Sequence, residues 1–233
     1  AKTTTTPRTS SCLDSSSTDL TMSGGKYEIY VDSMSQPSRA CMILCRANHL
    51  SDVDAPHLSQ VREKLVLIHK KDHRSEAYRA LNPLRQVPVL VRRAEGSVSE
   101  NPAQQKAEGK FAPANAVAWS LPESCAILTH ICQAFDLPDK WYPSRGTLEE
   151  RAAVDSALHW YHATLRKGCG GLTFHKVVAH NLGVTPSEAI AQDSQDRLIR
   201  ALEQIEECWL RDGASGAAQR FIGGGGAHPG GVL

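Results

Sequence analysis

Ser35-Gln36-Pro37-Ser38 stands where a strand-like run, Tyr27 to Val31, gives way to a helix-like stretch, Arg39 to Asn48. Pro37 suits the first turn of a helix, where its missing N–H is no loss. A serine at such a junction has two readings. Its oxygen can cap the helix, or its hydroxyl can donate to an anion that the positive end of the helix dipole also attracts. Glu123-Ser124 opens a second helix-like run that reaches Phe135. There the hydroxyl and the N–H groups that follow can cap the helix or hold a carboxylate, and Glu123 can pair with an ammonium. His73 and Arg74 follow Lys70, Lys71 and Asp72. By their own composition they form an ordinary solvated loop. Val87-Pro88 precedes an apolar run, as a proline opening an edge strand would.

The elements that must carry these residues follow from local pattern. Tyr27 to Val31 alternates and reads as a strand. Lys64 to Ile68 is a short β-rich run, Ser75 to Leu81 a short helix ended by Asn82-Pro83, Val87 to Val91 a third strand and Ala116 to Leu121 a fourth. The order β-α-β-α-β-β-α suggests a crossover unit with an antiparallel edge. Residues 92–115 interrupt the last β-β step with a polar stretch longer than a hairpin needs, and read as an exposed insertion. After Trp141-Tyr142-Pro143 the pattern turns helical. Val154, Leu158, Tyr161 and Leu165 share one helix face. Thr185-Pro186-Ser187-Glu188 reads as a capping box, followed by a buried stripe of Leu198, Leu202, Ile205 and Trp209.

With 41% hydrophobic and 22% charged residues, the 233-residue chain can bury a core. A net charge of +1 gives no global basic field for nucleic acid or membrane surfaces, and no apolar run approaches a membrane span. The seven cysteines are scattered, without a Cys-x-x-Cys pair, and their odd number reads as reduced cytosolic thiols. Cys41 and Cys45, four apart on one helix face, read as buried thiols; two alone make no zinc site.

Taken in order and spacing, three motifs resemble the glutathione transferases, most of all the theta class: Ser35-Gln36-Pro37-Ser38-Arg39-Ala40, Asn82-Pro83-Leu84-Arg85-Gln86-Val87-Pro88, and Glu123-Ser124-Cys125-Ala126-Ile127-Leu128. Trp141-Tyr142-Pro143, His162-Ala163-Thr164-Leu165-Arg166 and His175-Lys176 continue the likeness, which covers roughly residues 26–222 apart from the insertion. The resemblance implies an α/β thioredoxin-like domain followed by an all-α helical domain. The expected division is a leader or targeting remnant at 1–25, the glutathione-binding domain at 26–137 with the insertion 92–115, a linker at 138–147, a shortened helical domain at 148–222 and a Gly-rich tail at 223–233.

It also implies roles. Glutathione is the co-substrate, and its thiolate is the nucleophile. Ser35 is expected to donate to that sulfur, with Arg39 a nearby positive charge. Val87-Pro88, with a cis bond in the family, presents the Val87 backbone to the cysteinyl part of the peptide, as an added strand would. Glu123 and Ser124 hold the γ-glutamyl end, His73 and Arg74 face the glycine carboxylate, and Arg166 faces the thiol. The implied activity is conjugation to a small electrophile, with reduction of organic hydroperoxides as a second reaction, in a cytoplasmic homodimer with no metal, nucleic acid or membrane partner. Two rivals share the fold. Dithiol exchange needs Cys-x-x-Cys at the strand-to-helix turn, where this chain reads Ser35-Gln36-Pro37-Ser38. The other is an inactive binding or interaction protein. The family continues after Phe-Ile-Gly-Gly with Ser/Ile-Ala-Asp-Leu and further helices. Here Gly225-Gly226-Ala227-His228 follows Phe221 to Gly224, so the expectation is a chain truncated relative to the family.

Overall fold

A computed structural model describes residues 27–55, 58–97 and 110–210. The expectations for 1–25 and 223–233, and the middle of the expected insertion, lie outside those residues. The first half runs β1 (Tyr27–Val31), α1 (Gln36–Ala47), β2 (Val61–Leu65), two 3-10 turns (Ile68–Lys70 and Asp72–Arg74), α2 (Glu76–Leu81), β3 (Val89–Arg93), β4 (Val117–Pro122) and α3 (Ser124–Ala134). The sheet order is β2-β1-β3-β4. β1 and β2 are parallel, as the α1 crossover requires, and the β1–β3 and β3–β4 pairs are antiparallel. This is the expected thioredoxin-like arrangement.

β1 is buried along its whole length, because both faces of the sheet are covered. Tyr27, Ile29 and Val31 pack with α1 and α3 residues such as Cys41, Leu44, Ile127 and Ile131. On the opposite face Tyr30 packs with Tyr78 and Leu81 of α2 and with Val89 and Val91. Glu28 is also on this second face, 1% exposed. A lone buried carboxylate would be expensive, but Arg93 (3.2 Å), Arg62 (3.5 Å) and Lys64 (3.7 Å) surround it, and the Tyr30 hydroxyl donates to it at 2.8 Å. That charge cluster explains why the second strand lies earlier than its apolar run suggests. Val61–Leu65 carries Arg62 and Lys64 to Glu28, and Val66 to Ile68 fall beyond it.

Of the described ends of the 92–115 stretch, residues 95, 96, 110 and 113–115 are exposed, whereas Arg93 and Ala112 are buried and Arg92, Ala94, Ser97 and Phe111 half-buried, which corrects the exposed reading for those six. Arg92 and Arg93 belong to β3, Phe111 stacks against Tyr30 and Tyr78, and the Ala112 N–H donates to the Tyr30 hydroxyl at 3.0 Å. Lys110 pairs with Asp72.

The second half is helical: α4 (Leu148–Ala163), α5 (Leu165–Thr173) running through a π-turn (Phe174–Val178) into the short α6 (Ala179–Asn181), and α7 (Glu188–Gln204) ending in a second π-turn (Ile205–Trp209). Three expectations change here. The chain breaks direction at Thr164, so Leu165 starts a new helix instead of extending the face of Val154 and Leu158. The cap of α7 is Ser187, whose oxygen accepts the Ile190 N–H, and not Thr185. Nor is the α7 stripe the buried face: Leu202 is 49% exposed, Leu198 and Ile205 are half-buried, and the Trp209 side chain lies outside the described residues. The residues α7 buries are small, Ala191, Ser194 and Ala201. The reason lies in α5, where glycine lets the two backbones meet. A Cβ on Gly168 would stand 2.7 Å from the Leu198 backbone nitrogen.

Candidate functional site

Ser35 is the N-cap of α1. Its backbone is extended (φ −85°, ψ 118°) and its Oγ accepts the Ser38 N–H at 3.4 Å. Capping uses only an acceptor lone pair. The hydroxyl proton stays available for a second partner, so the two readings of this serine coexist. Pro37 stands in the first turn, and no acidic side chain opposes the positive helix end. Arg39 clasps the loop instead of facing the site: its guanidinium donates to the Ser33 carbonyl at 2.8 Å.

A cleft between the sheet and the helical half brings together Val87, Pro88, Glu123, Ser124 and Arg166 with Pro37. The Val87-Pro88 bond is cis. Among the described residues no hydrogen bond engages the Val87 backbone. The loop before it is fixed by Asn82, whose Nδ2 donates to the Gln86 carbonyl at 2.8 Å, and by the Tyr78 hydroxyl on the same carbonyl at 2.6 Å. Glu123 sits at φ 72°, ψ 113°, a conformation L-residues avoid, and caps α3 without a side-chain bond to it. Its carboxylate is exposed at the cleft rim and makes no ion pair among the described residues.

Arg166 reaches across to the first turn of α1 and donates to Gln36 Oε1 at 2.8 Å. The Tyr161 hydroxyl donates to the same oxygen at 2.5 Å. Gln36 therefore joins the helical half to the helix that Ser35 caps.

His73 and Arg74 stand apart from that lining, on the 3-10 turn Asp72–Arg74. His73 is half-buried with its Nδ1 buried and unpartnered. Burial first, then the neighbouring Arg74 charge, hold its pKa below the usual imidazole value. Arg74 is exposed and makes no ion pair among the described residues.

The cysteines near the site are not its nucleophiles. Cys41 and Cys45 are fully buried and free. Burial pushes Cys45 up to about 12 and raises Cys41 and Cys125 as well. Such thiols stay protonated at neutral pH. Among the described residues no group of histidine, cysteine or carboxylate side chains could hold a metal ion, and no helix is long and apolar enough to cross a membrane.

The lining residues Gln86 and His162, and Gln36, which accepts from Arg166 beside the cleft, were not singled out by sequence reasoning. Gln36 and Gln86 lie inside the quoted motifs, beside Ser35 and Val87. His162 closes α4 and Arg166 opens α5, so the break at Thr164, and not a shared helix face, brings both to the cleft.

No protein-family model matches the chain. Glutathione S-transferase T1 of Arabidopsis thaliana is 30% identical over 190 residues, which is 81% of this chain and 63% of that protein. Among solved structures, the apo form of human glutathione S-transferase T1-1 matches with a TM-score of 0.60 at 30% identity, covering 80% of this chain and 64% of that one. A theta-class human glutathione transferase, in complex with the glutathione conjugate of 1-menaphthyl sulfate, matches with a TM-score of 0.60 at 25% identity, covering 84% of this chain and 66% of that one. The chain thus spans less than two thirds of the length of each of these relatives. The motifs, the sheet order and these likenesses converge on one family: the chain is similar to the theta-class glutathione transferases.

Proposed function

We propose that the chain binds glutathione in the cleft and activates its thiol for transfer to a small electrophile, with reduction of organic hydroperoxides as a second reaction. The observation that carries this reading is Ser35. It caps α1 through its oxygen, keeps a hydroxyl proton to donate, and adjoins a cleft that holds Val87-Pro88, Glu123-Ser124 and Arg166. In this reading the Ser35 hydroxyl and the α1 dipole favour the thiolate over the thiol. The Val87 backbone pairs with the cysteinyl peptide unit. Ser124 and the α3 N-terminus take the γ-glutamyl carboxylate, and Glu123 its ammonium. His73 and Arg74 take the glycine carboxylate, and Arg166 adds positive charge near the sulfur.

The test is a glutathione titration by calorimetry in two buffers of different ionisation heat, alongside Ser35→Ala. Proton release on binding, lost in the variant, is the expected result. Binding without proton release would favour a binding protein that does not activate the thiol, and no binding would overturn the reading. We also propose a cytoplasmic homodimer. Light scattering that finds only monomer would overturn the dimer, and an organellar fluorescent fusion the location.

A further inference from the structure

Two loops leave the same end of the parallel pair β1 and β2. Residues 32–35 deliver Ser35, and residues 66–74 deliver His73 and Arg74. One side chain holds both. Asp32 is 3% exposed. Its Oδ1 accepts the Met34 N–H at 2.9 Å, one residue before Ser35, and its Oδ2 accepts the Ile68 N–H at 2.7 Å, at the start of the turns that lead to His73. Its backbone carbonyl accepts the Ser35 N–H at 2.9 Å.

A buried carboxylate without a cation is costly unless its oxygens are hydrogen-bonded. Asp32 makes no ion pair among the described residues, so these N–H groups are what offsets its burial. Each oxygen serves a different loop. A carboxylate can do this and an amide cannot, because only the carboxylate offers two acceptors. Strand ends are commonly closed by backbone bonds alone, and one exists here, from the Val66 N–H to the Val31 carbonyl at 2.8 Å. The Asp32 bridge is additional to that closure.

We propose that Asp32 is a positioning residue that sets the Ser35 hydroxyl and the His73–Arg74 turn at the spacing glutathione requires between its sulfur and its glycine carboxylate. This rests on the glutathione reading above. Asp32 touches no part of the ligand in this proposal and acts through the two loops.

Two variants of the full chain test it, with two ligands. Glutathione reports both the sulfur and the carboxylate. S-methylglutathione, which has no ionisable thiol, reports the carboxylate alone. Ile68→Pro removes one of the two donors and leaves the carboxylate in place. It is tolerable at the first position of a 3-10 turn, since Leu67 before it is already extended (φ −75°, ψ 101°). Losing a hydrogen bond to a charged group predicts about a tenfold rise in Kd for both ligands. The pKa of the bound thiol, read from thiolate absorbance, stays at the wild-type value. Asp32→Asn leaves one acceptor for two donors. It raises both Kd values about tenfold and in addition raises the pKa of the bound thiol. Wild-type Kd values in Ile68→Pro, or an unchanged thiol pKa in Asp32→Asn, would overturn the proposal. So would losses that merely follow the unfolded fraction measured by circular dichroism on the same samples. If the unmodified chain binds S-methylglutathione but shows no bound thiolate, the failure lies in the thiol-activation reading. If it binds neither ligand, the glutathione site and this proposal fall together.

Discussion

Arg166 and Gln36 are joined at 2.8 Å although 130 residues separate them in sequence. The bond ties the start of α5 to the first turn of α1. Both groups are solvent-accessible, so the contact contributes little to stability, within about 0.5 kcal/mol. Its value is geometric. Arg166→Ala should lower kcat/KM for glutathione conjugation, and Gln36→Ala should do so less. The double variant should lose no more than Arg166→Ala alone, because Gln36 acts through Arg166. A double-mutant cycle with additive losses would mean the two act separately.

Ser35 caps a helix and is assigned to the thiol, and glycine separates these functions. Ser35→Ala removes both the cap and the donor, and should cost about 1 kcal/mol of stability. Ser35→Gly keeps most of the capping preference, and should cost only a few tenths of a kcal/mol, roughly. Both should lower kcat by about 100-fold or more, by analogy with the loss of an oxyanion donor. Denaturant melts and steady-state kinetics on the two variants check this. Activity that tracks stability across the pair would make Ser35 a cap only.

Glu123 is held at positive φ by the sheet-to-helix junction. Releasing that strain, set against the extra chain entropy of glycine, should make Glu123→Gly more stable by about 1 kcal/mol. The same change removes the carboxylate assigned to the γ-glutamyl ammonium, so glutathione binding should weaken about tenfold. Opposite movements of stability and affinity are the expected signature. A variant that loses stability would place the backbone strain elsewhere.

Within α5, two glycines make opposite predictions. A Cβ at Gly168 meets the Leu198 backbone at 2.7 and 2.9 Å, and a backbone cannot rotate aside. Gly168→Ala should therefore cost about 1–3 kcal/mol. Gly170 has nothing within 4 Å of its added Cβ, and Gly170→Ala should gain up to about 1 kcal/mol from helix propensity. Thermal melts of the two single variants decide the point.

His130 lies between Tyr27 and Trp119, with the Tyr27 hydroxyl 3.3 Å from its Nε2. Burial, then the Arg92 charge, lower its pKa from the ordinary 6.5, and His73 is lowered in the same sense. The unfolded chain then binds more protons than the folded one in mildly acidic solution. Stability should be full above pH 6.5 and fall as pH drops through the lowered folded values. His130→Gln should flatten part of that fall. An unchanged pH slope would show that His130 is not the group titrating.

The sequence carried the site better than it carried the packing. Ser35, Val87-Pro88 and Glu123-Ser124 were readable because each stands at a junction, and turn and cap chemistry is local. His73 and Arg74 were readable as a pair but not in their distance from the cleft, which depends on how loop 66–74 folds back. Asp32 was invisible as a bridge, since its partner Ile68 lies 36 residues away. The strand Val61–Leu65 was displaced in the reading because its polar residues look like loop until Glu28 is seen beside them. The α7 stripe misled for the opposite reason. Apolar periodicity finds the large residues, whereas two closely approaching helices bury the small ones.

The charge cluster in the sheet has one hub and three spokes. Among the described residues, Arg62, Lys64 and Arg93 share Glu28 as a counter-charge. The arrangement is unequal in what it tolerates. Shortening one cation leaves a carboxylate still flanked by two. Neutralising Glu28 removes the counter-charge that all three cations share and weakens the acceptor of the Tyr30 hydroxyl. Sequence drift in this sheet should therefore run through the cations, one at a time, while the acid at position 28 stays fixed.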